Sequence, residues 1–121
     1  MAHILVIDDD ELVLESITIG LEENGYEVST AINGEKGLKL IKKNSFDLVI
    51  TDLIMPVKEG IETILEAKKN NHDLKIIAIS GGGRTSGYDY LQMAEKLGAN
   101  RILQKPFSIS QLIMEIDQIL K

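Results

Sequence analysis

The chain alternates between two hydrophobic periods, and that alternation limits its fold more than any other feature of the sequence. Short β-type runs stand at Ile4–Ile7, Tyr26–Thr30, Leu48–Thr51, Ile76–Ile79 and Arg101–Leu103. Three of them are solidly apolar, as strands covered on both faces should be. Between the runs, apolar residues recur at helical spacing. Val13, Ile17 and Leu21 share one face, and Ile61, Ile64 and Leu65 share another. The last stripe is the clearest, with Ile109, Leu112, Ile113, Ile116, Ile119 and Leu120 on one side. Ser108 precedes it and Gln111 follows three residues later, the spacing of a capping box. Gly25 and Gly98 fall just past the first and fourth helices, where a helix-terminating residue belongs. The reading is βαβαβαβαβα: an α/β fold, with five parallel strands, five helices on both faces and right-handed crossovers.

The 121 residues suit one domain, 1–121, with a core large enough to need no staples. No linker, repeat or low-complexity segment interrupts them. The last helix occupies the end of the sequence, so no output domain is expected within it. Cysteine is absent, which excludes a disulfide framework, a thiolate nucleophile and a zinc-thiolate site. Lys and Arg number 13 against 19 Asp and Glu, a net charge of −6. That balance argues against direct nucleic-acid or anionic-membrane binding. The start lacks a basic segment followed by a long apolar run, so no signal peptide is expected. No stretch approaches the ~20 apolar residues of a membrane span. No membrane insertion and a cytoplasmic location are the expectations.

In an open α/β sheet, ligands bind beyond the carboxyl ends of the strands. The residues that follow each strand are therefore the informative ones. Asp8, Asp9 and Asp10 follow the first strand and Asp52 the third. Ser80 follows the fourth, ahead of Gly81, Gly82 and Gly83, and Gln104, Lys105 and Pro106 follow the fifth. Singly each has an ordinary explanation: a helix cap, a turn hydroxyl, a solvated lysine. Capping needs one aspartate, which Asp10 supplies, and three crowded carboxylates suggest a bound cation or a raised pKa. Asp9 and Asp52 offer the hard oxygen ligands that suit Mg²⁺. Asp52 can also accept a phosphoryl group as an acyl phosphate. Lys105 and Ser80 can hold phosphoryl oxygens as a point charge and a hydroxyl donor. Phosphoryl transfer needs mainly such positioning and charge neutralisation.

At these residues the sequence resembles the receiver domain of two-component response regulators, in particular the chemotaxis-type single-domain form. The carrying motifs are Ile4 to Asp10, Asp52-Leu53-Ile54-Met55-Pro56 with Gly60, Ile79-Ser80-Gly81 and Lys105-Pro106-Phe107. The resemblance implies a flavodoxin-like sheet of order 2-1-3-4-5. It makes Asp52 the phospho-acceptor, served by a phosphohistidine on a sensor histidine kinase or phosphotransfer protein. Asp9, Asp52 and the backbone carbonyl of Ile54 would ligate Mg²⁺, and Asp8 would act mostly through water. Ser80 and Lys105 would contact the phosphoryl group, and the Lys105–Pro106 peptide would be cis. Phosphorylation would change the surface offered to an unidentified downstream protein, with no enzymatic activity beyond self-phosphorylation and slow autodephosphorylation. The same residues also suit a receiver belonging to a larger response regulator or hybrid kinase. The pattern leaves room for dimerisation through the fourth and fifth helices without arguing for it.

The sequence departs from the family where an aromatic residue commonly stands, at Ile102, and where Gly81 replaces a common alanine; Glu59 replaces a common aspartate. Ile102 is stiff at χ1 and has no ring to swing. The signal is therefore expected to leave through residues 81–87 and the helix start bearing Tyr88 and Tyr90. A haloacid-dehalogenase-type phosphatase would need an acid two residues after its nucleophile, and Ile54 cannot move a proton. A flavodoxin-type phosphate loop would meet repulsion from Asp8 to Asp10, and no Gly-x-Gly-x-x-Gly follows the first strand.

Overall fold

The computed structural model describes residues 2–53, 57–80, 92 and 94–120. The strands are β1 (His3–Ile7), β2 (Glu27–Ala31), β3 (Leu48–Asp52), β4 (Lys75–Ser80) and β5 (Arg101–Gln104). The helices are α1 (Glu11–Glu23), α2 (Gly34–Lys43) and α3 (Val57–Asn70), then α4, described over residues 94–96, and α5 (Ile109–Leu120). The five strands form one parallel sheet in the order β2-β1-β3-β4-β5. The parallel sheet with helices on both faces is what the alternation predicts, and its flavodoxin-like strand order is what the resemblance implies.

The apolar strands are solid because both faces are covered. Ile4, Val6, Leu48, Ile50, Ile77 and Ile79 point to one side, where Leu14, Ile17 and Leu21 of α1 meet Leu112 and Ile116 of α5. Leu5, Ile7, Val49, Ile76 and Ala78 point to the other, against Ile64 and Ala67 of α3 and Ala94 of α4, with Leu38 and Ile41 of α2 packed alongside. Each strand alternates between these two layers, so the interior positions of β1, β3 and β4 are apolar apart from Thr51.

Helix ends follow their sequence signals. Asp10 caps α1 by accepting from the Leu12 N–H at 2.9 Å. Ser108 caps α5 by accepting from the Gln111 N–H at 3.0 Å. Gly25 and Gly98 have φ of 88° and 114°. Each closes its helix with a pair of reversed bonds, Tyr26 N–H to Leu21 C=O behind Gly25 and Ala99 N–H to Ala94 C=O behind Gly98.

Three details differ from the sequence reading. Tyr26 belongs to the turn that ends α1, so β2 starts at Glu27. On α1 the buried stripe is Leu14, Ile17 and Leu21, with Val13 at its margin. On α3 the inward residues are Thr63, Ile64 and Ala67, and Leu65 is exposed. In both helices two adjacent apolar residues compete for the inner face, and their neighbours one turn away decide which wins.

Candidate functional site

The polar residues gather where the strands run out. Asp8 directly follows β1, and its N–H donates to the Ala31 carbonyl at the end of β2. Asp52 is the last residue of β3, and the next N–H, from Leu53, donates to Ile79 of β4. Ser80 is the last residue of β4, and its carbonyl accepts from the Lys105 N–H at 2.7 Å. Each site residue is thus fixed by one further rung of the ladder beyond the apolar segment. The Lys105–Pro106 peptide is cis, as the motif implies.

Asp8, Asp52 and Ser80 are buried, whereas Asp9 is exposed. Carboxylate oxygens of Asp8, Asp9 and Asp52 lie within 4.8 Å of one another, an arrangement that could hold a metal ion. Lys105 reaches in from the far side. Its Nζ lies 2.9 Å from Asp52 Oδ2 and 3.5 Å from Asp8 Oδ2. Asp8 Oδ1 accepts from the Asp10 N–H at 2.8 Å, which ties the buried acid to the start of α1.

The electrostatics follow from this crowding. Burial pushes the Asp8 carboxyl up to about 7. The Asp10 N–H pulls it down, while the hydrogen bond with Asp52 and that residue's charge push it further up. Burial works against the charge on Lys105, but Asp52 and then Asp8 outweigh it and hold the ammonium above its ordinary pKa. Among the described residues a single cation therefore faces two buried acids, and a second cation at the exposed Asp9 side would relieve the excess negative charge. Three oxygen donors with one side open to solvent match a hard divalent cation that keeps several waters.

A model of the response regulator receiver domain matches residues 4–117. The chain belongs to the response regulator receiver family. Transcriptional regulatory protein PrrA of Mycobacterium tuberculosis is 32% identical over 119 residues, which is 98% of this chain and 50% of PrrA. The chain spans about half the length of the curated relatives it matches. A receiver domain protein from Clostridium thermocellum superimposes with a TM-score of 0.90 at 36% identity, over 99% of this chain and 94% of that one. TrrA from Thermotoga maritima, solved in complex with Mg²⁺-BeF, gives 0.87 at 32% identity over 99% and 100% of the two chains.

This receiver brings Asp8, Asp9, Asp52, Ser80 and Lys105 to one rim. Ile54, offered as a carbonyl ligand, lies outside the described residues, as do 81–90, the expected exit route of the signal. Ile102 packs, partly buried, against the layer containing Ala94 and Ala99. His3 stands apart from the acids, with its ring Nε2 2.8 Å from Ser29 Oγ and its ring centre 4.5 Å from that of Phe46. Sequence reasoning drew a bound cation or a raised pKa from the crowded carboxylates but did not single out Asp8 as the raised one. The signal available was its position, directly after a strand buried on both faces. Among the described residues no helix is long and apolar enough to cross a membrane.

Proposed function

We propose that this receiver is a phosphorylation switch that takes a phosphoryl group from a phosphohistidine onto Asp52, in the presence of Mg²⁺. The observation that carries the reading is the buried Asp52 carboxylate, 2.9 Å from Lys105 and grouped with the acids of Asp8 and Asp9. In the transfer, an Asp52 oxygen bonds to phosphorus as the phosphorus–nitrogen bond of the donor breaks. The imidazole nitrogen keeps the electron pair. Lys105 can exchange its contact with Asp52 for one with a phosphoryl oxygen, and the Ser80 hydroxyl can donate to another. Asp9 and Asp52, with the Ile54 carbonyl, would ligate Mg²⁺, and Asp8 would act through water. When bound, the ion supplies charge neutralisation among the phosphoryl oxygens. The Mg²⁺-BeF complex of TrrA, a relative covered over its whole length, supports this choice of ion.

An apolar groove of about 360 Å³ runs from Lys105 and Pro106 past Phe107 to Leu12, Val13 and Ile17 of α1. Leu12 is 75% exposed there. A small anion needs no such surface, which favours a donor presented by a protein, a sensor histidine kinase or phosphotransfer protein. The phosphoryl group adds about −1.5 to −2 charges. It would alter the surface offered to a downstream protein, with no turnover of a separate substrate.

Acetyl phosphate with Mg²⁺ should label the wild-type chain, and Asp52→Asn should remove the label. Undiminished incorporation into Asp52→Asn would refute the assignment.

A further inference from the structure

The basic side chains of this acidic protein are unevenly placed. Helix α2 carries Lys36, Lys39, Lys42 and Lys43 against one acid, Glu35, in a chain of net charge −6. Lys36, Lys39 and Lys43 stand at spacings of three and four, so they share one flank of the helix. They border a groove of about 390 Å³ that also includes Thr30 and Ile32 at the end of β2, and Leu40. That volume falls within the ~300–1,000 Å³ of ligand clefts. Ile32 is exposed. Lys39 pairs with Glu35 at 3.7 Å, while among the described residues Lys36 and Lys43 form no ion pair.

The groove adjoins an open sheet edge, because β2 is an outer strand. In a parallel pair, the N–H and C=O of alternate residues turn to the same neighbour. The Glu27 N–H donates to Ala2 C=O, and Ala31 C=O accepts from the Asp8 N–H. The odd-numbered residues of β2 therefore face β1, and the backbone groups of Val28 and Thr30 face outward. Such an edge is a template for an added strand.

We propose that the β2–α2 groove docks an extended acidic segment of a partner protein. The segment pairs with the backbone of Val28 and Thr30, sets carboxylates against Lys36 and Lys43, and lays an apolar side chain over Leu40 and Ile32. Charge and reach select this occupant. The lysine flank from Lys36 to Lys43 spans eight residues, about 10 Å of helix. A nucleic-acid duplex carries charge over a far longer line, and would press against the exposed Glu27 and the net negative charge beyond. A second copy joined β2 to β2 about a two-fold axis would bring lysine flank toward lysine flank. A short extended peptide meets neither obstacle. None of these residues takes part in the phospho-acceptor site, so this inference stands or falls separately from it.

The test is a titration of the isotope-labelled full chain, followed by NMR, with a blocked peptide of about eight alternating Glu and Val residues. Resonances of residues 28–43 should shift, and the Val28 and Thr30 amides should exchange more slowly. The double variant Lys36→Glu, Lys43→Glu should bind about tenfold more weakly, with its remaining spectrum and its labelling by acetyl phosphate unchanged. Equal binding by the double variant, or equal shifts with a Lys–Val peptide, would overturn the proposal. So would a response of these residues to a DNA duplex or phosphatidylserine vesicles but not to the peptide, or self-association through them.

Discussion

Asp8 is buried beside a second carboxylate, with one lysine shared between the two. Its pKa of about 7 lies above the ordinary 3.8. The folded chain thus binds more protons than the unfolded one between those values, so the stability that this group contributes is present at low pH and lost as pH rises from about 4 to about 7. Metal-free wild type should lose stability over that window relative to Asp8→Asn, by on the order of 1–4 kcal/mol. Thermal melts of both proteins across the window check this, and parallel curves would contradict it. Asp9 and Asp10 separate by role. Asp10 caps α1 through Leu12, whereas Asp9 is the exposed member of the acidic cluster. Asp9→Ala should weaken Mg²⁺ binding by about tenfold or more, and Asp10→Ala should instead cost about 1 kcal/mol of stability. Titration calorimetry alongside denaturant unfolding separates the two effects. Asp52, Lys105 and Ser80 were legible as site candidates because each stands where an apolar strand stops. Which acid is raised was legible only in part: burial after an apolar strand, the larger cause, can be read from position, but the contributions of Asp52 and Lys105, 44 and 97 residues away, cannot.

At the scale of elements, α2 lies close against the sheet. A Cβ at Gly37 would stand 2.4 Å from Ile7 Cδ1 and 2.9 Å from Ile7 Cγ1. Ile7 is fully buried and immediately precedes Asp8. Gly37→Ala would gain up to about 1 kcal/mol of helix propensity but forces overpacking worth roughly 1–3 kcal/mol. The variant should unfold at lower denaturant, by about 1 kcal/mol net, and a more stable variant would show that α2 can move outward freely. The sequence showed five strands and five helices because apolar runs buried on both faces leave a plain pattern. It placed Ile17 and Leu21 of α1 correctly but chose Val13 over Leu14, which is equally apolar, and only packing against β1 and α5 chooses between them. The bond from the Tyr26 hydroxyl to Asp117 joins residues 91 apart and had no local signal. That bond fastens the chain entering β2 to α5. Together with burial it pushes the Tyr26 phenol up to about 12, with burial the larger cause.

Across the whole molecule, four strand ends deliver acids, a hydroxyl and one ammonium to a single rim, while α2 gathers lysines at the sheet's outer edge. The rim requires the parallel sheet, because only parallel strands bring all their carboxyl ends to the same side. The outer groove is independent of the rim and was not legible in the sequence, since the lysines of α2 read alone as a solvated helix face. The account's central claim is that Asp52 becomes an acyl phosphate. The most direct measurement is to phosphorylate the wild-type chain with acetyl phosphate and Mg²⁺, reduce the product with borohydride, and map the peptides by mass spectrometry. An acyl phosphate is reduced to an alcohol, so homoserine should replace aspartate at position 52, and chelating the metal before phosphorylation should abolish it. Homoserine at position 8 or 9, or undiminished conversion after chelation, would contradict the account.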